Sequence, residues 1–141
     1  MEGWKIVEIE WEELEKWAKE ARKMAYAPYS KLQVGAALLA GDGQVFVGTN
    51  VENASYGLTL CAERVALGSA ISKGARTFRA IAITGGPLLI TPCGACRQVL
   101  AEFGLGLRIR CFDENGQKRD FVLEDLLPAA FLGNFLDRSS F

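Results

Sequence analysis

The sequence has 141 residues, half of them hydrophobic, and this length and composition are typical of one folded domain and exclude a disordered chain. The formal net charge is −1, which gives no electrostatic reason to expect a nucleic acid as a partner. Residues 1–10 lack a basic start followed by an apolar run, and no stretch reaches the ~18 apolar residues of a membrane span, so we expect a cytoplasmic protein without a membrane partner.

The first predicted element is a helix with one apolar stripe. The members of the stripe recur at three- and four-residue steps and are Leu14, Trp17, Ala18, Ala21, Met24 and Ala25. Pro28 is predicted to end this helix, because the residue before a proline is disfavoured in the helical conformation. The residues before the helix follow no clean period. We therefore predict a single domain over 1–141 in which 1–12 can form an N-terminal extension, as a short strand or an irregular arm.

A hairpin and a second helix follow. Strands are predicted over 33–40 and 44–48, and glycines in the turn 41–43 connect them. A polar loop over 49–59 leads to a helix over 61–72, which a lysine and a glycine close in the order typical of a helix C-terminus.

The second half of the chain alternates strand and helix. We predict strands over 79–84, 107–112 and 118–122, and helices over 94–103 and 124–127. A strand, a helix and a strand in succession imply parallel pairing with a right-handed crossover. The predicted fold class is therefore α/β, as a three-layer α/β/α sandwich around a five-stranded mixed sheet.

Three of the four cysteines have the spacing of metal ligands: Cys61 precedes Glu63 by two residues, and Cys93 and Cys96 form a Cys-x-x-Cys pair. The chain has no histidine, so Ser-His and Cys-His catalysis are excluded, and zinc has to bind sulfur or oxygen. Three protein ligands leave a fourth position for water, and a carboxylate beside that water can move its protons. The sequence thus predicts one catalytic Zn²⁺ per chain, with Glu63 as the catalytic acid and base.

Both sets of thiols are predicted at helix starts, where the positive end of the helix favours the thiolate. Glu63 is turned about 200° from Cys61 around the helix, but a long side chain at the first turn still reaches a substrate beyond the helix end. Two alternatives stay open. One is a structural zinc site with Cys111 or a carboxylate as fourth ligand, and the other is a chain without metal, including the less favoured disulfide framework.

The motifs resemble those of the small cytidine deaminases. Cys61-Ala62-Glu63 and Pro92-Cys93-x-x-Cys96 match the three-cysteine form of the zinc nucleobase deaminase signature. The resemblance runs from about residue 14 to residue 131 and includes the segments 25–30, 34–38, 48–57 and 126–128. It implies a homotetrameric enzyme of pyrimidine salvage that hydrolyses cytidine and 2′-deoxycytidine to the uridine nucleosides and ammonia.

The resemblance also implies contacts with a substrate. Asn50 and Glu52 match a pair that binds the ribose, and the alternative is that they only order a loop. The backbone amide of Ala62 matches a group at the pyrimidine edge. Phe131 resembles an aromatic residue that a neighbouring subunit places over the base. Leu32 stands where the family usually has phenylalanine, so it keeps an apolar contact without an aromatic face. For Phe131 and Leu32 the alternative is core packing.

Two arginines follow the cysteine motifs. Three thiolates on Zn²⁺ leave the cluster with a net negative charge, which raises the pKa of a bound water. The resemblance supports Arg64 and Arg97 as cations that hydrogen-bond to the sulfurs and offset part of this charge. The alternative for each arginine is a surface salt bridge.

Three other functions stay open on the sequence alone. They are a blasticidin-S-type or other nucleoside-analogue deaminase, a non-catalytic zinc-stabilised binding module, and an RNA- or DNA-editing enzyme. The 50–55 segment favours a nucleoside substrate, and the weak charge asymmetry argues against a polynucleotide. Replacement of Glu63 separates an enzyme from a binding module, since only an enzyme needs this carboxylate for turnover.

Overall fold

The computed structural model describes residues 9–136, which form one five-stranded sheet and four α-helices. The strands are β1 (Gly35–Ala40), β2 (Val45–Thr49), β3 (Phe78–Thr84), β4 (Arg108–Phe112) and β5 (Lys118–Val122). The helices are α1 (Trp11–Arg22), α2 (Ala62–Ser72), α3 (Gly94–Ala101) and α4 (Leu123–Leu126). Each predicted strand and helix is present, and none of these helices is long and apolar enough to cross a bilayer.

The sheet is mixed, in the order β2-β1-β3-β4-β5. β1 pairs antiparallel with both β2 and β3, β3 and β4 are parallel, and β5 is antiparallel to β4. α3 connects the parallel pair, as the alternation of strand and helix predicted. The mixed five-stranded sheet is therefore confirmed.

Helices cover both faces of this sheet, and β1 shows how. Ala36 and Leu38 point toward the core that includes α2 and α3, whereas Ala37 packs with Leu14 and Ala18 of α1 on the other face. Successive side chains of a strand face opposite sides, so a strand covered on both faces is apolar throughout. This arrangement confirms the three-layer α/β/α sandwich.

The predicted end of the first helix is wrong. α1 ends at Arg22, and the side chains of Trp17 and Met24 are exposed instead of buried. The chain leaves the helix because the Tyr26 amide donates to the Asn50 carbonyl, which aligns this segment with the one that follows β2. A tertiary hydrogen bond, and not Pro28, sets the boundary.

The predicted N-terminal extension lies mostly outside the described residues, since its members Trp4 and Ile6 precede residue 9. Trp11 and Glu12 are the first two residues of α1. Ile9 and Trp11 pack on the α1 side of the sheet, where the guanidinium of Arg110 lies 4.6 Å from the Trp11 ring centroid.

Candidate metal centre and active site

The N-termini of α2 and α3 meet at one place, and each begins at a cysteine. Cys61 precedes the first residue of α2, and Cys93 precedes the first residue of α3. The Cys96 amide, in the first turn of α3, donates to the Cys93 sulfur at 3.5 Å. The extended backbone of both capping cysteines directs their side chains beyond the helix ends.

Three sulfurs form a compact group. Cys61 Sγ lies 3.9 Å from Cys93 Sγ, which lies 3.5 Å from Cys96 Sγ, and all three are within 4.8 Å of one another. A tetrahedral zinc with Zn–S bonds of about 2.3 Å places its sulfurs about 3.8 Å apart. The donor set and its spacing therefore fit one zinc ion. In residues 9–136 no fourth cysteine or carboxylate joins this group, which is the pattern of a catalytic and not a structural site.

The fourth cysteine has a different environment. Cys111 lies on β4, fully buried in the core that includes α2. Burial raises the pKa of its thiol to about 12. Cys111 is thus a protonated, inert core residue. It does not serve as the fourth ligand that the alternative of a structural zinc site requires.

The thiols of Cys61 and Cys96 have pKa values shifted in opposite directions. The neighbouring Cys96 thiol and, less strongly, Arg64 lower the pKa of Cys61 to about 5, against an opposing effect of burial. The neighbouring Cys61 thiol, together with burial, raises the pKa of Cys96. Three neighbouring thiolates therefore repel one another unless a cation lies between them, and a divalent metal meets this requirement.

The two arginines act differently. Arg64 Nη2 donates to Cys61 Sγ at 3.4 Å and to the Thr59 carbonyl at 3.2 Å, which is the predicted contact with a sulfur. Arg97 does not make that contact. It donates instead to the carbonyls of Pro92 at 2.8 Å and Leu126 at 3.0 Å, so it connects the residue before Cys93 to the end of α4. Among residues 9–136, neither arginine has a carboxylate partner that would form the surface salt bridge of the alternative.

A cavity of about 320 Å³ opens beside the sulfurs. Most of the predicted substrate and catalytic residues line it, namely Leu32, Asn50, Glu52, Cys61, Ala62, Glu63 and Cys93. The rest of the wall consists of residues that were not predicted as site residues, namely Ser30, Val34, Tyr56, Thr59, Leu60, Ile90 and Thr91. Ser30, Val34 and Tyr56 lie in the segments that resemble those of the cytidine deaminases, so this resemblance could have identified them from the sequence. Phe131 is 58 % exposed and does not line the cavity of its own chain.

Glu63 combines burial with access to the cavity. Its exposed fraction is only 4 %, yet it contributes to the cavity wall together with Cys61. Burial raises the pKa of its carboxyl group to about 7. A carboxyl group with a pKa near neutrality can both take and give a proton at physiological pH, which suits a general acid and base.

Asn50 holds the start of β1. Its side-chain oxygen accepts from the Val34 amide at 2.8 Å, and its side-chain nitrogen donates to the Leu32 carbonyl at 2.7 Å. Both groups of the amide are therefore engaged by the backbone that forms one wall of the cavity. This observation agrees with the loop-ordering alternative for Asn50.

Glu52 stabilises the turn formed by residues 28–30. One carboxylate oxygen accepts from the amides of Tyr29 at 2.9 Å and Ser30 at 3.1 Å, and the other accepts from the Ser30 hydroxyl. The Ser30 hydroxyl is the main cause of a lowered pKa of Glu52, so the carboxylate is ionised at neutral pH. Glu52 also lines the cavity, so ordering the loop does not exclude a contact with a ligand.

Comparisons with known proteins agree on one family. Residues 9–109 match the family described as the cytidine and deoxycytidylate deaminase zinc-binding region. The chain is 48 % identical over 118 residues to a cytidine deaminase of Sporosarcina psychrophila, covering 81 % of this chain and 85 % of that protein. A cytidine deaminase of Halalkalibacterium halodurans is 49 % identical over 116 residues, covering 81 % and 88 %.

A solved structure agrees as well. The 1.6 Å crystal structure of a cytidine deaminase from Burkholderia pseudomallei superposes with a TM-score of 0.82 at 52 % identity. The match covers 87 % of this chain and all of that one.

Proposed function

This chain belongs to the cytidine and deoxycytidylate deaminase family, and we propose that it hydrolyses cytidine to uridine and ammonia with one zinc ion per chain. The single observation that carries this function is the meeting of three thiols and the buried Glu63 in one cavity. We extend the proposal to 2′-deoxycytidine as a second substrate, to a place in pyrimidine salvage and to the cytoplasm as the compartment.

In this proposal the zinc ligands are Cys61, Cys93 and Cys96. Zinc held by three protein ligands supplies a nucleophile at neutral pH, because it lowers the pKa of a water molecule. Arg64 donates to the Cys61 sulfur and so offsets part of the negative charge of three thiolates. Arg97 fixes the Pro92 carbonyl and thereby positions the neighbouring Cys93.

Glu63 moves the protons. It takes one proton from the attacking water as the new C4–O bond forms, and it delivers that proton to N3 of the pyrimidine. It then takes the proton of the new hydroxyl group and gives it to the amino nitrogen, so that the C4–N bond breaks and ammonia leaves. The buried position of the carboxyl group and its pKa of about 7 support this cycle, since neither protonation state is strongly favoured.

The remaining wall residues hold the nucleoside. The backbone amide of Ala62 faces the pyrimidine edge in this proposal, which its place as the first residue of α2 supports, because the first amides of a helix have no partner within it. Leu32 contacts the base without an aromatic face. Asn50 and Glu52 bind sugar hydroxyls in addition to ordering the 29–34 loop, and the ionised Glu52 is a suitable acceptor.

We propose a homotetramer in which Phe131 of a neighbouring copy covers the base. Exposed apolar side chains around the cavity support this assembly, and they include Tyr26, Tyr29, Tyr56, Leu58 and Leu60. Exposed groups of this size and number are typical of a surface that another chain covers. Sedimentation velocity measures the state directly, and a monomer would contradict this part of the proposal.

One experiment tests the proposed function. Purified protein is expected to contain one zinc per chain by metal analysis and to remove the ultraviolet absorbance of cytidine on incubation. Blasticidin S, assayed in parallel, separates the nucleoside function from the closest alternative. Stoichiometric zinc without turnover of cytidine or 2′-deoxycytidine would refute the substrate, and a protein without zinc would refute the mechanism.

A matched pair of variants tests the role of Glu52. Glu52→Gln removes a charge that we propose binds the sugar, whereas Ser30→Ala removes a hydroxyl group that donates to Glu52 and accepts from the Leu32 amide. We expect Glu52→Gln to raise KM for cytidine by about 10-fold or more, because a hydrogen bond to a charged group contributes about 1.5–3 kcal/mol, and we expect a smaller change for Ser30→Ala. Steady-state kinetics of both variants decide the question. Equal effects would leave Glu52 with the loop-ordering role alone.

A further inference from the structure

Gly48 is the point at which the sheet supports the helix that carries Cys61 and Glu63. It lies in β2, pairs with Ala36 of β1, and faces α2. A Cβ atom at Gly48 would lie 2.3 Å from the Ala62 carbonyl oxygen and 2.4 Å from the Ala66 amide nitrogen. The first turn of α2 therefore rests directly on the backbone of β2, and only glycine permits this approach.

The contact lies between two functional residues in the chain. Ala62, whose carbonyl touches Gly48, is bonded through its peptides to Cys61 on one side and to Glu63 on the other. Cys93 and Cys96 belong instead to the start of α3. The distance between α2 and β2 therefore determines where the Cys61 sulfur and the Glu63 carboxyl group lie relative to the sulfurs of Cys93 and Cys96. We propose that Gly48 is a positioning residue, which fixes the geometry of the zinc site through the backbone of α2.

The size of the effect follows from the distances. Ordinary contacts of a Cβ atom begin at 3.4 Å, so with an alanine the first turn of α2 has to retreat by about 1 Å. The opposing atoms are backbone atoms inside a helix, and they cannot rotate away as a flexible side chain does. A displacement of about 1 Å from a distant substitution can reduce a catalytic rate about 10²-fold. Disturbed support of metal ligands commonly weakens metal binding about 10- to 100-fold.

The chain contains a matched control on the opposite face of the sheet. A Cβ atom at Gly35 of β1 would lie 2.1 Å from the Ala18 carbonyl oxygen and 2.6 Å from the Arg22 amide nitrogen, both in α1. The type of clash is the same, but α1 contributes no residue to the sulfur group or to the cavity wall. Gly35 follows the cavity-wall residue Val34 but contacts neither α2 nor α3 in this way, so Gly35→Ala separates damage to the sandwich from damage to the sulfur group.

The test compares Gly48→Ala with Gly35→Ala and uses readouts other than activity. They are the urea midpoint of the reduced, zinc-free protein, the zinc dissociation constant by competition with a chromophoric chelator, and the thiolate-to-metal absorption of the Co²⁺ form. Both variants are expected to lower the midpoint. Only Gly48→Ala is expected to weaken zinc binding about 10- to 100-fold, to alter the Co²⁺ spectrum and to reduce kcat more than it changes KM.

Wild-type zinc affinity and a wild-type Co²⁺ spectrum in Gly48→Ala, or equal losses in Gly35→Ala, would overturn the inference. Should Gly48→Ala fail to fold, Gly48→Ala combined with Gly68→Ala is measured instead, because Gly68 is an exposed helical glycine with open space around its position. Failure of this double variant, with Gly35→Ala folded, would assign Gly48 to folding alone. The inference rests on the proposed function, whose own failure is distinct: the wild-type protein would then lack zinc or turnover.

Discussion

Glu63→Gln is expected to reduce cytidine turnover at least about 10²-fold while one zinc per chain remains bound. The glutamine has almost the same shape and fits the same buried place, but it cannot take and return a proton. The three sulfurs are untouched, so metal analysis should give the wild-type stoichiometry. Measurement of kcat beside zinc content therefore separates loss of the proton carrier from loss of the site.

The same variant has an effect on stability with a defined sign. Burial raises the pKa of Glu63 from 4.5 to about 7, so the zinc-free folded state binds more protons than the unfolded state between these values. The unfolding free energy of the zinc-free wild type is thus expected to lose a contribution as pH rises through this window. Glutamine does not ionise, so zinc-free Glu63→Gln keeps this contribution as pH rises. It should therefore be more stable than zinc-free wild type above about pH 7. Urea unfolding at several pH values measures the difference.

Glu124→Gln is the control for this variant. Glu124 also lies in the first turn of a helix, but it is exposed and does not line the cavity. Removal of its charge changes the interaction with the helix dipole without touching the chemistry. Wild-type turnover in Glu63→Gln, or an equal loss in Glu124→Gln, would contradict the proposed role of Glu63.

The structure could be predicted best where a feature depends on residues that lie close together in the sequence. The strand and helix positions follow from periodicity and from turn residues, and the positions of Cys61, Cys93 and Cys96 follow from short spacings within two helix starts. The Cys-x-x-Cys pair needs no knowledge of the fold, because i, i+3 spacing alone brings two sulfurs together. The approach of Cys61 to this pair was predicted from the fold class, since the helices of such a sheet start where strands end and bring their first residues to one edge.

The errors arise where distant segments meet. α1 ends early because Tyr26 pairs with the Asn50 backbone, which no local pattern indicates. Arg97 follows Cys96 directly, yet the carbonyl of Leu126 competes for its guanidinium. Gly48 is an ordinary strand glycine in the sequence, and only its closeness to α2 makes it special. Such contacts belong to tertiary packing, so they are read from coordinates and not from spacing.

Cys96→Ala is expected to abolish stoichiometric zinc binding and, with it, activity. It removes one of three sulfurs, and the remaining two cannot form the three-ligand set that a catalytic zinc requires. A bound metal stabilises the folded state by mass action, so the melting temperature of Cys96→Ala should no longer rise when zinc is added. Metal analysis and thermal melts with and without zinc give both results.

Cys111→Ala is the matched variant, since it removes the same atom from an equally buried cysteine. Cys111 lies in the core and outside the sulfur group, so this change should lower the unfolding free energy by about 1 kcal/mol through a small cavity. It should keep one zinc per chain and near wild-type turnover. Loss of zinc from Cys111→Ala would make Cys111 a fourth ligand and the metal structural. Because the two variants differ only in which thiol is lost, opposite outcomes for zinc can arise only from the position of each sulfur relative to the metal.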